Sequence, residues 1–255
     1  MLTYVFGKGT GATHQTGHKD ITVSIDSTDP TLAIAALTRH PSLSMVMMST
    51  VAPPYFYADA SLLRFDLSGI AEGETVESAT LRLVYSGADP MEADTTVSIM
   101  QMLQAWGVTD TTEGADESPA TGGQATFNAA KAVAPIPTPW AGDDFLTPPY
   151  SFSETPAADF VVSEGDEAGE AYDVDLTSLV KSWVNGVAPE PPVDNHGIAL
   201  MIALPSEDDS NWVELGSQSN VARKRRWVLT VVTDGAGESP LVNGVWPRSK
   251  FVEQR

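Results

Sequence analysis

The chain has 255 residues, with 34 Asp and Glu against 14 Lys and Arg, a formal net charge of -20, no cysteine and 42% hydrophobic residues. This balance excludes disulfide staples, thiolate metal sites and a cysteine nucleophile, and it sets the chain against the phosphate backbone of nucleic acid. The apolar fraction supports a core, and the length fits one large β domain or two smaller ones of ~100–200 residues.

Residues 1–19 read as a polar N-terminal arm. They carry no basic region followed by an apolar stretch, so no secretory signal is expected and the product is expected to be made in the cytoplasm. His14 and His18 stand four apart, but Gly11 and Gly17 argue against the helix that would bring both to one zinc ion. The Gly-rich run from Gly7 to Gly11 lacks the strand and helix that flank a phosphate-binding loop.

From residue 20 to 233 the dominant signal is alternation with period two, the mark of half-buried strands. Ile21, Val23 and Ile25 share one face. Residues 33–38 fit either a short helix or a strand pair. Leu63, Phe65 and Leu67 alternate with Arg64 and Asp66. Glu72-Gly73-Glu74 reads as a turn in which Gly73 takes a positive φ. Leu81 and Leu83 then alternate with Thr80 and Arg82, and residues 97–103 form a further candidate. Residues 107–160 are rich in Pro, Gly, Thr and Asp and read as a long excursion between strands.

One helix is expected over about 173–185. Leu176, Leu179, Val180 and Trp183 fall at i, i+3, i+4 and i+7 and make one apolar stripe. Asp175 is placed to cap its first turn, and Asn185-Gly186 to stop it. Residues 198–204 are apolar on both sides and read as a central strand. Residues 212–215 and 227–232 complete the series. No stretch reaches the ~20 apolar residues of a spanning helix. Residues 234–255 keep Leu241, Val242, Val245, Trp246 and Phe251 and read as a C-terminal docking tail. Many short strands, Gly/Pro turns and one covering helix specify an all-β fold: an antiparallel, jelly-roll-like β-sandwich.

Three segments carry a family likeness. They are residues 62–83 (Leu-Leu-Arg-Phe-Asp-Leu-Ser-Gly-Ile onward), residues 172–186 (Tyr-Asp-Val-Asp-Leu-Thr-Ser-Leu-Val-Lys-Ser-Trp-Val-Asn-Gly), and His196-Gly-Ile-Ala-Leu-Met-Ile202 with the closing strand from Arg226. Their order and spacing resemble the DNRLRE-type domain over roughly residues 20–233. The resemblance implies a non-catalytic β-sandwich of surface, secreted and virion proteins, akin to carbohydrate-binding modules. The Thr/Gly/Pro-rich excursion stretches the spacing around Trp106 and Trp140 relative to that pattern.

Chemistry-bearing motifs are few. There is no G-x-S-x-G elbow and no Walker loop, so no enzyme is expected. Acid pairs such as Asp143-Asp144 and Asp208-Asp209 lie in turn-like sequence, where a solvated surface is the ordinary reading. Glu164, Asp166, Glu167 and Glu170 supply an oxygen-dense loop for calcium but lack the spacing of an EF-hand; the favoured reading is no cofactor, with Ca2+ as the alternative. Tyr55, Tyr57, Trp106, Trp140 and Trp212 are candidates for sugar stacking, and Tyr150 lies in similar loop sequence. Arg223, Lys224, Arg225 and Arg226 hold four of the 14 basic groups. With Trp246 and Phe251 they are candidates for a contact between chains.

The function expected is a structural or attachment protein of a tailed-bacteriophage virion, either a tail or fibre component or a capsid decoration. Its partners would be other virion proteins, copies of itself or a cell-surface glycan, without nucleic acid or membrane insertion. The alternative is a secreted or cell-surface polysaccharide-binding module. A virion leaves by lysis and needs no leader, which fits the N-terminus.

Overall fold

The computed structural model describes residues 1–7, 19–26, 37–39, 44–52, 55–87, 93–107, 118–119, 125, 130, 138–142, 145–146, 148–186, 192–202, 210–217 and 222–236. For residues 19–26, 37–39, 44–52, 55–59, 118–119, 210–212 and 223 only the backbone is described. The strands are β1 (Leu2–Phe6), β2 (Lys19–Asp26), β3 (Leu37–Arg39), β4 (Ser44–Ala52), β5 (Tyr55–Arg64), β6 (Val76–Val84) and β7 (Thr95–Gln101). They continue with β8 (Ser118–Pro119), β9 (Ala158–Val162), β10 (Ala171–Asp175), β11 (Ile198–Ile202), β12 (Ser210–Gly216) and β13 (Val228–Thr233). One α-helix, α1 (Thr177–Val184), follows β10.

The strands form an antiparallel β-sandwich. The smaller sheet has the order β1-β13-β6-β10, and the larger β8-β3-β2-β5-β11-β7-β9, with β4 joined to β5 and β12 to β4. Strand β5 is shared along one edge: its residues 55–58 pair with β4, and residues 61–63 pair with β11. Strand β12 reaches back to the smaller sheet through a bridge between Leu215 and Tyr85.

Alternation decides which side chains meet between the sheets. On β6, Val76, Ala79, Leu81 and Leu83 are buried while Arg82 is exposed. Phe65 lies edge-on to Trp227 at 5.4 Å between ring centroids and 6.2 Å from Trp183 of α1. Leu63, Ile99, Ile198, Leu200 and Leu229 fill the same layer without exposure. A buried side chain of this kind contributes ~1.5–3 kcal/mol.

The helix is shorter than its sequence pattern. Residues 171–175 run as β10 beside β6, in the register Val174 to Leu81 and Asp175 to Thr80. Asp173 and Asp175 point outward there while Val174 is buried, so strand pairing takes the first three residues of the expected helix. Asp175 Oδ1 then accepts the Thr177 amide at 2.8 Å and turns the chain into α1. The stripe Leu176, Leu179, Val180 and Trp183 is buried, as its spacing requires. Asn185 and Gly186, the latter at φ 73°, end the helix. The Asn185 side chain also donates to Glu74 O at 2.7 Å and accepts the Val76 amide at 2.9 Å, tying the helix end to the start of β6.

Two further stretches depart from their sequence reading. Residues 2–6, within the expected arm, are an edge strand paired with β13 from Leu2–Thr233 to Phe6–Leu229. The described part of the excursion does not stand away from the sandwich. It folds onto the outer face of the larger sheet and makes a second core of Trp106, Trp140, Phe145 and Phe152 against Ala60, Leu62, Met102 and Ala199. Over β7 and β11 the molecule therefore has three layers.

Candidate functional site

The second core holds two of the candidate stacking aromatics, and that corrects their expected role. Trp106 and Trp140 are each 2% exposed. Trp106 Nε1 donates to His196 O at 2.8 Å, and Trp140 meets Phe145 edge-on at 5.1 Å. An indole closed on both faces offers no platform to a sugar. Tyr55 and Tyr57 lie on β5 and Trp212 on β12, and their side chains lie outside the described residues, as do Trp246 and Phe251.

Tyr150 is placed differently. Its ring stacks on Phe152 at 5.1 Å and 24°, and Phe152 rests on Phe145 at 5.1 Å. It is half-exposed, beside exposed Pro148 and Pro149. The Tyr4 and Tyr172 hydroxyls are engaged by carboxylates, whereas the Tyr150 hydroxyl makes no hydrogen bond among the described residues. Below it, Ser151 Oγ donates to Gln104 Oε1 and accepts the Ala141 amide, both at 2.8 Å, while Gln104 Nε2 donates to Pro139 O at 2.8 Å. This buried serine network fixes the segment that carries the ring.

The acidic loop between β9 and β10 is held by its own carboxylate. Asp166 Oδ2 accepts the Ser163 amide at 2.7 Å and the Tyr172 hydroxyl at 2.5 Å. The Tyr172 hydrogen bond, then that of Ser163, lowers the Asp166 pKa below its ordinary value. Burial, then the bond to Asp166, raises that of Tyr172. Glu164, Glu167 and Glu170 are exposed. Among the described residues no group of three His, Asp or Glu is placed to hold a metal ion. The described carboxylate of this loop with defined partners staples backbone and a tyrosine.

The basic run forms a 3-10 turn over Arg223–Arg225. Arg225 donates from a terminal guanidinium nitrogen to Ser86 O at 3.4 Å, and its backbone lies against Gly216 so closely that a Cβ there would meet Arg225 O at 1.8 Å. Lys224 is exposed and Arg226 half-buried; the Arg223 side chain is not described. Ser86 lies between Tyr85 and Gly87, both of which touch the acidic loop at residues 168–170. The basic turn and the acidic loop thus flank one end of β6 within a single chain.

Sequence reasoning missed the most buried carboxylate among the described residues. Glu74 is 1% exposed. It accepts the Tyr4 hydroxyl at 2.7 Å and the Thr233 hydroxyl, joining β1, β13 and the turn before β6. Gly73 takes φ 88°, as the turn requires. The turn-like sequence around Glu74 suggested solvent; the only clue was that two strands flank it.

No family model matches the chain, and no curated protein sequence matches it.

Proposed function

We propose that this protein is a non-catalytic structural or attachment component of a tailed-bacteriophage virion, built on a DNRLRE-like sandwich. The observation that carries the reading is how its carboxylates are used. Glu74, Asp166, Asp175 and Asp234 each bind backbone amides or hydroxyls that fix a strand or turn. The remaining described acids of the β9–β10 loop and of β10 face water. Such a surface keeps a densely packed body soluble, and the two cores make it stiff. An antibody raised against the purified protein tests the reading on gradient-purified particles from a lysing culture. Labelling of particles by electron microscopy is the expected result; particles devoid of the protein by both labelling and peptide mass spectrometry would sink the proposal.

Tyr150 favours a second reading, a polysaccharide-binding module. A half-exposed ring supported by Phe152, with a hydroxyl that makes no hydrogen bond among the described residues, suits the apolar face of a pyranose. A glycan array probed with the native chain and with Tyr150→Ala tests this. Binding lost in the variant supports it, and an array without signal from the native chain removes it.

A further inference from the structure

Strand β1 occupies a slot made by the far end of the chain. Its one strand partner among the described residues is β13, and the turn before β6 closes the slot behind it. Two features recognise the strand. The Phe6 ring enters the main core at 7% exposure, and the Tyr4 hydroxyl reaches the buried Glu74 carboxylate at 2.7 Å. Thr3 and Val5, which alternate with them, face out. The slot is selective: it takes an extended strand with an apolar side chain at one end and a hydroxyl donor two residues before it. It also cannot stand empty without cost. Removing β1 would leave a buried carboxylate with one hydrogen-bond partner fewer and would open the edge of β13.

Any copy of β1 satisfies that slot equally well, because the contacts of an exchanged strand are identical to those of a resident one. What decides between them is reach and concentration. Strand β1 belongs to the smaller sheet and β2 to the larger. Twelve residues, 7–18, connect them. At ~3.3 Å per residue, that length spans up to ~40 Å, about the width of a domain. A tether of this kind gives the resident strand an effective concentration of roughly millimolar. Copies packed side by side in a shell or fibre meet one another at comparable concentration.

We infer that β1 is exchanged between neighbouring copies when the protein assembles, with Glu74 of one chain receiving Tyr4 of the next. This rests on the virion reading for its setting, since dense packing is what lets a neighbour compete. The partner is a second copy of this chain, and the joint is the β1–β13 register.

The absence of cysteine makes the joint open to a direct test. Val5 and Thr230 are Cα partners in that register and both face outward. Full-length Val5→Cys and Thr230→Cys chains are mixed, concentrated to roughly millimolar to favour neighbours, and oxidised. Exchange predicts a disulfide-linked heterodimer at twice the 27.1 kDa of one chain on a non-reducing gel. Val5→Cys mixed with Glu77→Cys, which is exposed on β6 away from that register, should give none. The double variant Val5→Cys/Thr230→Cys must crosslink in either case, which reports that the slot is formed. Bonds between chains support exchange. A double variant that closes only within single chains, with no heterodimer from the mixed singles, overturns it. Exchange is read in purified protein, so its failure leaves the particle-labelling result intact, and a particle lacking the protein leaves the gel result intact.

Discussion

The larger sheet is covered on both faces, but by two cores of different construction. Between the sheets, the core is assembled from strands whose alternation sends Leu81, Leu83, Ile198, Leu200, Leu229 and Val231 to one layer. On the outer face, the core is assembled from a few large rings, Trp106, Trp140, Phe145 and Phe152, set on the small or flexible side chains Ala60, Ala199 and Met102. The first is fixed by backbone ladders on both sides. Among the described residues the second has a ladder on one side only; its cover is held by single contacts such as the Met102–Phe152 bridge and the Ser151 and Gln104 bonds. The difference predicts different cooperativity. Loss of the inter-sheet core should unfold the molecule, and loss of the outer core should free its cover while the sandwich persists.

The largest expected effect comes from the inter-sheet core. Trp227 is fully buried and meets Phe65 edge-on. Trp227→Ala should cost about 3–5 kcal/mol, read as a lower midpoint of a single cooperative transition in denaturant. Trp140→Ala removes a ring of the same size from the outer core. Its expected signature is local: faster amide exchange over residues 138–152, with protection kept in β6 and β13. Equal loss of protection in both regions would erase the distinction between the cores.

A third substitution probes the seam between them. Gly197 stands at φ 89° at the entry to β11, and a Cβ there would meet Leu63 O at 2.1 Å. Its neighbours serve both cores: Ile198 packs inward and Ala199 outward, while Gly197 O accepts the Met102 amide at 2.9 Å. Gly197→Ala should cost about 1–3 kcal/mol from backbone conformation alone, with more from moving the Leu63 carbonyl. Unlike Trp140→Ala, it should raise exchange on both faces of the sheet.

The inter-sheet core was legible in the sequence because period two and period 3.6 are physical requirements of a strand and a helix with one wet face. Leu81 and Leu83 on β6 and the stripe from Leu176 to Trp183 obey them and are buried as expected. Residues 173–175 satisfied both periods at once, and only pairing with β6 resolved them as strand. The outer core has no period of its own. Trp106 and Trp140 looked like loop aromatics available to a ligand, and their burial depends on where a Pro-rich chain returns. One signal was present: Met100, Met102, Ala199 and Met201 leave the outward side of β7 and β11 apolar, and such a face needs a cover. Strand β1 alternates Leu2, Tyr4 and Phe6 within five residues, too short beside a Gly-rich run to be told from an arm. Glu74 was unreadable for a related reason. A carboxylate in a turn is buried only if distant strands close over it, and Tyr4 and Thr233 lie 70 and 159 residues away.

The smallest expected effect belongs to the rim, where the edges of the two sheets meet at the border of the inter-sheet core. Phe160 of β9 and Tyr172 of β10 touch there at 5.0 Å, and the Tyr172 hydroxyl binds Asp166. The bonds from Tyr172 and Ser163 stabilise the ionised carboxyl, so its folded pKa lies below the unfolded value. Asp175, held by Thr177, and Asp234, held by the Ala236 and Thr75 amides, shift the same way. A group with a depressed folded pKa contributes stability that is fully present above the unfolded carboxyl value, about 4, and is lost as pH falls through the folded value. The native chain should therefore hold its melting temperature from neutrality to about pH 5 and lose stability progressively below pH 4. Asp166→Asn removes one titrating group from that window, so its melting temperature should start slightly lower at pH 7 and approach that of the native chain below pH 4. A constant gap between the two curves from pH 7 to pH 3 would show that the loop is held by shape rather than by charge. The rim would then behave like the outer core, a cover fixed by packing, and not as an ionic clasp on the sandwich edge.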